Sequence, residues 1–251
     1  MAALRAAEIS ITPANDRIRA LHYQKDGSDT YLFVNEGTET CKGEITIPTR
    51  GACCVYNAWD NRLESIPAED TENGTVLSVC IEPVKSCIVV FGNTEGLPVY
   101  EPLHTADCAA HALTEWKRST CCSKAYPAFG PAKTVTLPDD AAAEDPAFSG
   151  FVRYETAFVG KAGQKTVLEI SDAYEGVEVF LNGESAGIQI APPFRYDLTT
   201  KVHNGKNTLV IETATTPERE MFAKTGPSIF APAEPTAPAG ICGTVTLWTK
   251  E

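Results

Sequence analysis

Three pairs of acidic residues in the second half of the sequence have types and spacings that could support acid–base chemistry. They are Asp172 with Glu175, Glu175 with Glu178, and Glu155 with Glu212. Two carboxyl groups held roughly 5 to 9.5 Å apart around a sugar form the arrangement that cleaves a glycosidic bond. Because residues three apart in a strand point to opposite faces, Glu175 and Glu178 converge only if Glu175 lies in a loop. Solvated charges at strand edges are the more common reason for such residues, so catalysis is the less favoured interpretation.

A second cluster has the composition of a sugar-binding cleft, which needs an aromatic ring for the C–H face of a sugar and a few fixed polar groups for its hydroxyls. The candidate residues flank one hairpin and are Tyr174, Glu175, Arg195, Tyr196 and Asp197. A structural alternative is open for each. Asp197 precedes Leu198-Thr199 and could anchor a turn through backbone N–H groups. On a neighbouring strand, Arg153 could pair with a carboxylate inside the sandwich.

The hairpin beside this cluster carries the clearest local signal in the chain. Asn182-Gly183 lies between alternating apolar and polar residues at 177–181 and a short return strand at 187–190. Both central residues of a tight hairpin turn need a positive φ, which Asn and Gly tolerate. Pro192-Pro193 then ends regular pairing, since neither residue can donate to a ladder. We therefore interpret Asn182 and Gly183 as turn formers, not as ligands.

The three tryptophans are predicted to have packing roles. Trp59 and Trp248 lie beside strand-forming residues and are expected to fill sandwich cores. For Trp116, packing is favoured over a role as a stacking platform. The sequence contains neither G-x-S-x-G, nor a P-loop, nor G-x-G-x-x-G, and its four histidines are not at zinc-ligand spacing. No cofactor is predicted.

Charge and cysteine use narrow the class of protein. The 251 residues carry a net charge of -12, which repels phosphate backbones, so nucleic acid and anionic membranes are not expected as partners. The sequence has no apolar run of about 18 to 20 residues and no signal-peptide pattern. The nine cysteines are odd in number and include two adjacent pairs, which favours reduced thiols. These features predict a cytoplasmic protein.

Strand patterns divide the chain into three parts. Residues 1–92 contain short alternating segments separated by Gly, Pro, Asn and Asp, which is typical of an antiparallel sandwich. Residues 93–147 have weak periodicity and predict a connector with one or two short strands. Residues 148–251 alternate again and predict a jelly-roll-like sandwich with a Pro-rich excursion at 217–238. The sequence therefore predicts an all-β protein of two β-sandwich domains.

Motifs in the second domain resemble a known family. SGFVRYETAF, LEISDAYEGVEVFLNGESAGIQIAPPFRYDLT and GKNTLVIETATTPERE are similar to the galactose-binding-like jelly roll of large bacterial glycoside hydrolases. The likeness is to the sugar-binding domain of family 2 and, more strongly, to the C-terminal jelly roll of family 106, the α-L-rhamnosidase-like enzymes. The first domain, with IRALHYQKDGSDTYLFVNEGTET and CIVVFG, is similar to the β-sandwich that follows the catalytic barrel in such enzymes.

One departure from these families decides the functional expectation. The (β/α)8 barrel that carries their catalytic carboxylates has no counterpart here, because no strands alternate with helices of about 10 to 15 residues. Jelly rolls of this type often carry a structural calcium, but EF-hand-like spacing is missing and no metal is assigned. The resemblance implies a non-catalytic C-terminal portion of a glycoside hydrolase, from a truncated or split gene. The alternatives are a stand-alone carbohydrate-binding module and an interaction fragment for a separately encoded barrel.

Overall fold

Alternating apolar and polar residues produce most of the strands in this chain. The computed structural model describes residues 9–58, 61–101, 103, 105–229 and 233–250. Two compact units are formed, residues 1–102 and 103–251. The prediction of an all-β protein built from sandwiches is confirmed. Trp59, predicted to fill a core, lies outside the described residues.

The first unit contains two antiparallel sheets. One has the strand order β1-β4-β8-β7 and the other β2-β3-β9-β5-β6. Their strands are β1 (Ser10–Thr12), β2 (Ile18–Lys25), β3 (Ser28–Asn35), β4 (Cys41–Ile47), β5 (Cys53–Asn57), β6 (Arg62–Ser65), β7 (Ala68–Thr71), β8 (Gly74–Ile81) and β9 (Ser86–Phe91).

One hydrophobic cluster joins the two sheets of the first unit. Tyr31 and Phe33 of β3 point into it from the five-stranded sheet, and Leu77 and Ile81 of β8 point into it from the four-stranded sheet. Since successive side chains of a strand alternate between faces, these residues two or four apart share the buried face. Burial of each such side chain stabilises the fold by about 1.5 to 3 kcal/mol.

The second unit is also built from two antiparallel sheets, of four and six strands. Their orders are β10-β19-β14-β17 and β12-β11-β13-β18-β15-β16. The elements are β10 (Ala109–Ala112), β11 (Glu115–Cys122), β12 (Lys133–Thr136), α1 (Ala141–Glu144), β13 (Gly150–Gly160), β14 (Thr166–Ile170), β15 (Gly176–Leu181), β16 (Glu184–Gln189), β17 (Phe194–Asp197), β18 (Gly205–Ala214), α2 (Glu218–Thr225) and β19 (Val245–Thr249).

The core of the second unit lies between these sheets. Val179 and Ile211 enter it from the six-stranded sheet, and Leu168 and Leu247 enter it from the four-stranded sheet. Trp116 is only 2% exposed and packs edge-on against a core tyrosine, so its predicted packing role is confirmed.

Trp248 does not fill the core as predicted. It lies on the face of β19 opposite to Val245 and Leu247 and remains partly exposed. Strand alternation is the reason, because Leu247 already takes the inward position.

The segment predicted as a connector has a larger structural role. Residues 93–101 complete the first unit, whereas β10, β11, β12 and α1 belong to the second unit, which begins at residue 103. β11 extends over eight residues and pairs with both β12 and β13. The apolar alternation of β11 is hard to recognise in the sequence because one inward position carries a charge. Trp116 and Arg118 are two residues apart, and both point inward.

The predicted hairpin is formed by β15 and β16. At the turn, Asn182 has φ 54° and Gly183 has φ 86°, the backbone conformation that these two residue types permit. The Asn182 amide also donates to Asn207 Oδ1 at 2.9 Å and accepts from the Thr208 N–H at 3.0 Å. Asn207 is fully buried, so this side-chain pair fixes the hairpin to β18.

A buried ion pair connects β11 with two other segments of the second unit. The Arg118 guanidinium, 3% exposed, donates from Nη1 to both carboxylate oxygens of Asp139 at 3.0 Å and from Nη2 to Glu144 at 2.5 Å. The Tyr154 hydroxyl donates to Asp139 at 2.8 Å and accepts from the Ile241 N–H at 3.2 Å. Burial, followed by the charge of Asp139, raises the pKa of Tyr154, so its hydroxyl stays a donor.

We expect Asp139→Ala to lower the free energy of unfolding by about 3 to 5 kcal/mol, because it leaves the Arg118 charge buried without its main partner. Urea denaturation followed by tryptophan fluorescence measures this loss. Glu184→Ala, which removes an exposed partner of Lys201, is the control and should cost at most about 1 kcal/mol. Equal losses in the two variants would contradict the importance of the buried pair.

Cysteine reactivity should follow burial. All nine cysteines are free thiols. Burial raises the pKa of Cys53 to about 11 and that of Cys87 to about 12, whereas Cys80 and Cys122 are exposed. At pH 8 a raised pKa means less thiolate, the reactive form. A disulfide reagent followed by peptide mapping should label Cys80 and Cys122 first, with Cys53 and Cys87 labelled only after denaturation; labelling of Cys53 as fast as Cys80 would refute this.

Candidate functional site

Tyr196, predicted to contact a sugar, is a core residue. Its side chain is 3% exposed, and its hydroxyl donates to the Val177 carbonyl at 2.8 Å. Burial raises the pKa of this hydroxyl. The cause of the inward position is strand alternation, since Phe194, two residues earlier, is also buried. The prediction that Tyr196 lines a sugar cleft is corrected to a packing role.

Arg195 and Asp197, on the other face of β17, make structural contacts. Arg195 is ion-paired with Glu169 of the neighbouring strand β14. The Asp197 carboxylate accepts from the Thr199 N–H at 2.9 Å. This second contact is the turn anchor that the sequence offered as an alternative for Asp197.

Tyr174 and Glu175 lie in the segment directly before β15. The backbone of Tyr174 exchanges hydrogen bonds with Gly240 at 2.9 and 3.2 Å, and the Glu175 N–H donates to Ala214 at 2.8 Å. Both residues line a cavity of about 30 Å³ together with Arg219. That volume corresponds to roughly one water molecule. The structure thus divides the predicted cluster between the core, β17 and this small cavity, and a sugar contact by Tyr174 or Glu175 stays a prediction.

One member of the acidic pairs, Glu212, is already engaged by neighbouring side chains. Glu212, 4% exposed, accepts from Arg153 Nε at 2.7 Å and from the Tyr126 hydroxyl at 3.0 Å, through different carboxylate oxygens. The Phe129 ring covers the Arg153 guanidinium at 4.1 Å. Arg153 therefore pairs with a carboxylate, as the structural alternative proposed, but it does so on the outward face of β13 and not inside the sandwich. The hydrogen bond to Glu212 raises the pKa of Tyr126.

Two other acidic candidates, Glu178 and Glu155, lie on the same outward face of the six-stranded sheet as Glu212. Glu178 lies opposite Glu212 in the ladder and accepts from Ser185 at 2.8 Å. Glu155 lies on the outward face of β13, 3.8 Å from Arg153 at the nearest charged atoms. With Arg153 and Tyr126 engaging both oxygens of Glu212, this cluster acts as a clamp between β13, β18 and the loop that carries Tyr126.

Metal sites and membrane-spanning helices are two further features that a chain of this size could carry. Within the described ranges, no group of three or more His, Cys, Asp and Glu side chains is arranged to hold a metal ion. Among the same residues, no helix is both long enough and apolar enough to cross a bilayer.

A cleft of about 770 Å³ opens at the edge of the second unit, and we name it the sheet-edge cleft. Its inner end is apolar, since Leu113 and Phe158 pack against the core cluster and Leu247 belongs to it. Its polar lining residues come from the start of β10, the loop before β14 and the end of β19, and are Asp107, His111, Gln164, Thr249 and Lys250.

Side-chain contacts order part of this cleft. His111 Nε2 lies 3.2 Å from the Thr249 hydroxyl, and Lys250 Nζ lies 3.5 Å from Asp107. Sequence reasoning missed these residues because β10 reads Ala-Ala-His-Ala, which has little apolar alternation. One pattern in the sequence could have indicated them. Ala109, His111 and Leu113 are spaced two residues apart, so in an extended segment all three lie on one face.

Comparison with known proteins gives a fold relationship. No protein-family model and no curated protein matches the sequence. The structure of a rhamnosidase from Novosphingobium sp. PP1Y matches 97% of this chain with a TM-score of 0.72 and 19% identity. This chain covers 25% of that protein. The resemblance to glycoside hydrolase β-domains is therefore confirmed at the level of fold.

Other solved structures align with a smaller part of the chain. A putative β-galactosidase from Bacteroides fragilis aligns over 58% of this chain and 24% of its own, with 17% identity and a TM-score of 0.46. A β-glucuronidase from Faecalibacterium prausnitzii aligns over 60% of this chain and 33% of its own, with 17% identity and a TM-score of 0.45. Because these two TM-scores are below 0.5, the fold assignment is based on the match to the rhamnosidase.

Tyr196→Phe tests whether the Tyr196 hydroxyl serves folding. The variant removes the buried hydrogen bond from the Tyr196 hydroxyl to the Val177 carbonyl, which should cost about 0.5 to 1.5 kcal/mol in urea unfolding. Tyr23→Phe, at an exposed position, is the matched control and should leave stability unchanged. A Tyr196→Phe variant as stable as the wild type would refute a structural role for the Tyr196 hydroxyl.

Proposed function

We propose that this chain is a non-catalytic β-domain portion of a glycoside hydrolase. The observation that carries the proposal is the match of 97% of the chain, at a TM-score of 0.72, to a quarter of a rhamnosidase. In this proposal the chain serves carbohydrate metabolism as a scaffold that helps present a glycan to a catalytic domain. The second unit takes the part of a galactose-binding-like domain.

The chemistry of the acidic residues supports a non-catalytic role. Hydrolysis of a glycosidic bond needs two carboxyl groups that face a sugar, one as acid and the other as base or nucleophile. Glu212 is buried and has both carboxylate oxygens engaged, and Glu175 borders a cavity of about 30 Å³. The bond-breaking carboxylates would then come from a barrel in the same polypeptide or in a second chain.

A second candidate function is that of a stand-alone carbohydrate-binding module. The sheet-edge cleft favours it, because the cleft combines an aromatic ring with amide, hydroxyl, imidazole and charged groups. This is the composition that sugar recognition requires. The two candidates share sugar binding and differ in whether a catalytic partner is needed.

The purified chain should release no p-nitrophenol from p-nitrophenyl α-L-rhamnopyranoside or p-nitrophenyl β-D-galactopyranoside above the buffer rate. The expected result follows because Arg153 and Tyr126 engage both carboxylate oxygens of Glu212, and because the described residues form no (β/α)8 barrel. Absorbance at alkaline pH after long incubation measures release.

A matched control separates true activity from a contaminating host enzyme. The double variant Glu155→Gln, Glu178→Gln, purified identically, removes the two accessible carboxylates beside Glu212. Hydrolysis by the wild type that disappears in this variant would contradict the proposed function. Hydrolysis that persists equally in both preparations identifies a contaminant, and a non-catalytic chain then still accounts for the data.

A further inference from the structure

We infer that the sheet-edge cleft binds the terminal pyranose of a neutral glycan. The inference rests on the proposed carbohydrate-related function and deepens it by assigning a site. The residues assigned to it are Asp107, His111, Phe158, Gln164, Thr249 and Lys250.

The position of the cleft gives it an apolar inner end. His111 and Leu113 share the inward face at the β10 side of the four-stranded sheet, as do Leu247 and Thr249 on β19. Phe158 faces them from β13 of the six-stranded sheet and is only partly buried. The sandwich is therefore open at this edge, and an aromatic ring is available there for the C–H face of a pyranose.

Polar groups line the same cleft with both donors and acceptors. The Gln164 side chain has a carbonyl and an amide, and it makes no hydrogen bond within the part of the chain that the structure describes. His111 Nε2 and the Thr249 hydroxyl oxygen lie 3.2 Å apart. This contact orients both side chains and leaves each of them able to make a further hydrogen bond to a ligand. Sugar hydroxyls, which both donate and accept, match this mixture.

The charges in the cleft favour a neutral ligand. Lys250 and Asp107 lie 3.5 Å apart, with side chains 50% and 71% exposed, at the outer end of the cleft. Their charges compensate each other, and no other lining residue is Lys, Arg, Asp or Glu. An anionic uronic acid would find one cation already paired, whereas a neutral sugar can accept from Lys250 and donate to Asp107.

The sheet-edge cleft is much larger than the cavity beside Tyr174 and Glu175, two of the residues that the sequence predicted to bind sugar. Ligand pockets for small molecules are roughly 300 to 1,000 Å³. The cleft has about 770 Å³, whereas the cavity beside Tyr174 and Glu175 has about 30 Å³. A pyranose with its glycosidic oxygen pointing outward fits only the former.

The test is calorimetric titration of the full chain with methyl α-L-rhamnopyranoside, methyl β-D-galactopyranoside and methyl β-D-glucuronide. Phe158→Leu keeps an apolar side chain but removes the ring face, and Gln164→Ala removes the loop amide. We expect Phe158→Leu to weaken binding about tenfold and Gln164→Ala about three- to tenfold, the effect of one hydrogen bond.

Matched controls exist at positions outside the cleft. Phe180→Leu changes a half-buried ring on the outward face of the six-stranded sheet, and Gln24→Ala changes a glutamine of the first unit. Both should bind like the wild type, within about twofold. Because Gln164 lies in a loop, its variant reports on the cleft even if Phe158→Leu is unstable.

The possible results of the titrations distinguish a wrong assignment of the cleft from a failure of carbohydrate binding as a whole. Wild-type binding that neither Phe158→Leu nor Gln164→Ala weakens would overturn the cleft while leaving carbohydrate binding intact. Tighter binding of the glucuronide than of the galactoside would overturn the assignment to neutral sugars. If no glycoside binds to the wild type, carbohydrate binding itself fails, and the cleft assignment fails with it.

Discussion

The buried pair of Arg118 and Asp139, with Tyr154 bonded to it, determines how the second unit is assembled. A guanidinium inside a sandwich is tolerated only when its charge and its N–H groups find partners. Both carboxylate oxygens of Asp139 accept from Arg118 Nη1, and the Tyr154 hydroxyl donates to the same carboxylate. The pair thus fixes β11 against β13 and against the segment before α1.

Hydrogen bonds next to this pair lead toward the two strands that border the sheet-edge cleft, β10 and β19. Tyr154 accepts from Ile241, which precedes β19, and Trp116 beside Arg118 donates to the Leu113 carbonyl at 3.0 Å. Leu113 follows β10, and β10 pairs with β19 along the rim of the cleft. These hydrogen bonds thus connect the surroundings of the buried pair with the two strands that border the cleft.

Polar residues near the hairpin serve folding rather than recognition. Asn182 bonds to Asn207 in the turn, and Asp197 caps a turn. Tyr196 uses its hydroxyl inside the core. These side chains share the composition of a sugar site, because satisfying buried backbone groups and binding hydroxyls require the same donors and acceptors. Composition alone therefore cannot distinguish the two uses.

The sequence predicted the elements whose patterns are strong. The hairpin at Asn182-Gly183 follows directly from alternation and turn chemistry. β7, which reads Ala-Glu-Asp-Thr, was missed because an exposed edge strand needs no apolar face. α2 at Glu218–Thr225 was missed because prolines surround a short helix with no buried residue.

The candidate site was harder to predict than the fold. A cleft depends on which residues of distant strands meet, and no motif records that His111, Phe158 and Thr249 lie together. Arg118 was also overlooked, since a charge at an inward position interrupts the apolar pattern until its partner Asp139 is known. Pair contacts between segments far apart in sequence carry this information, and single residue types do not.

The most direct measurement is a map of backbone amide chemical shifts in the full chain, recorded by NMR with and without methyl α-L-rhamnopyranoside and methyl β-D-galactopyranoside. The account predicts that the largest changes fall at residues 107–113, 158–164 and 247–250, with residues 174–175 and 195–197 unaffected. Changes centred on residues 174–175 and 195–197 would contradict it.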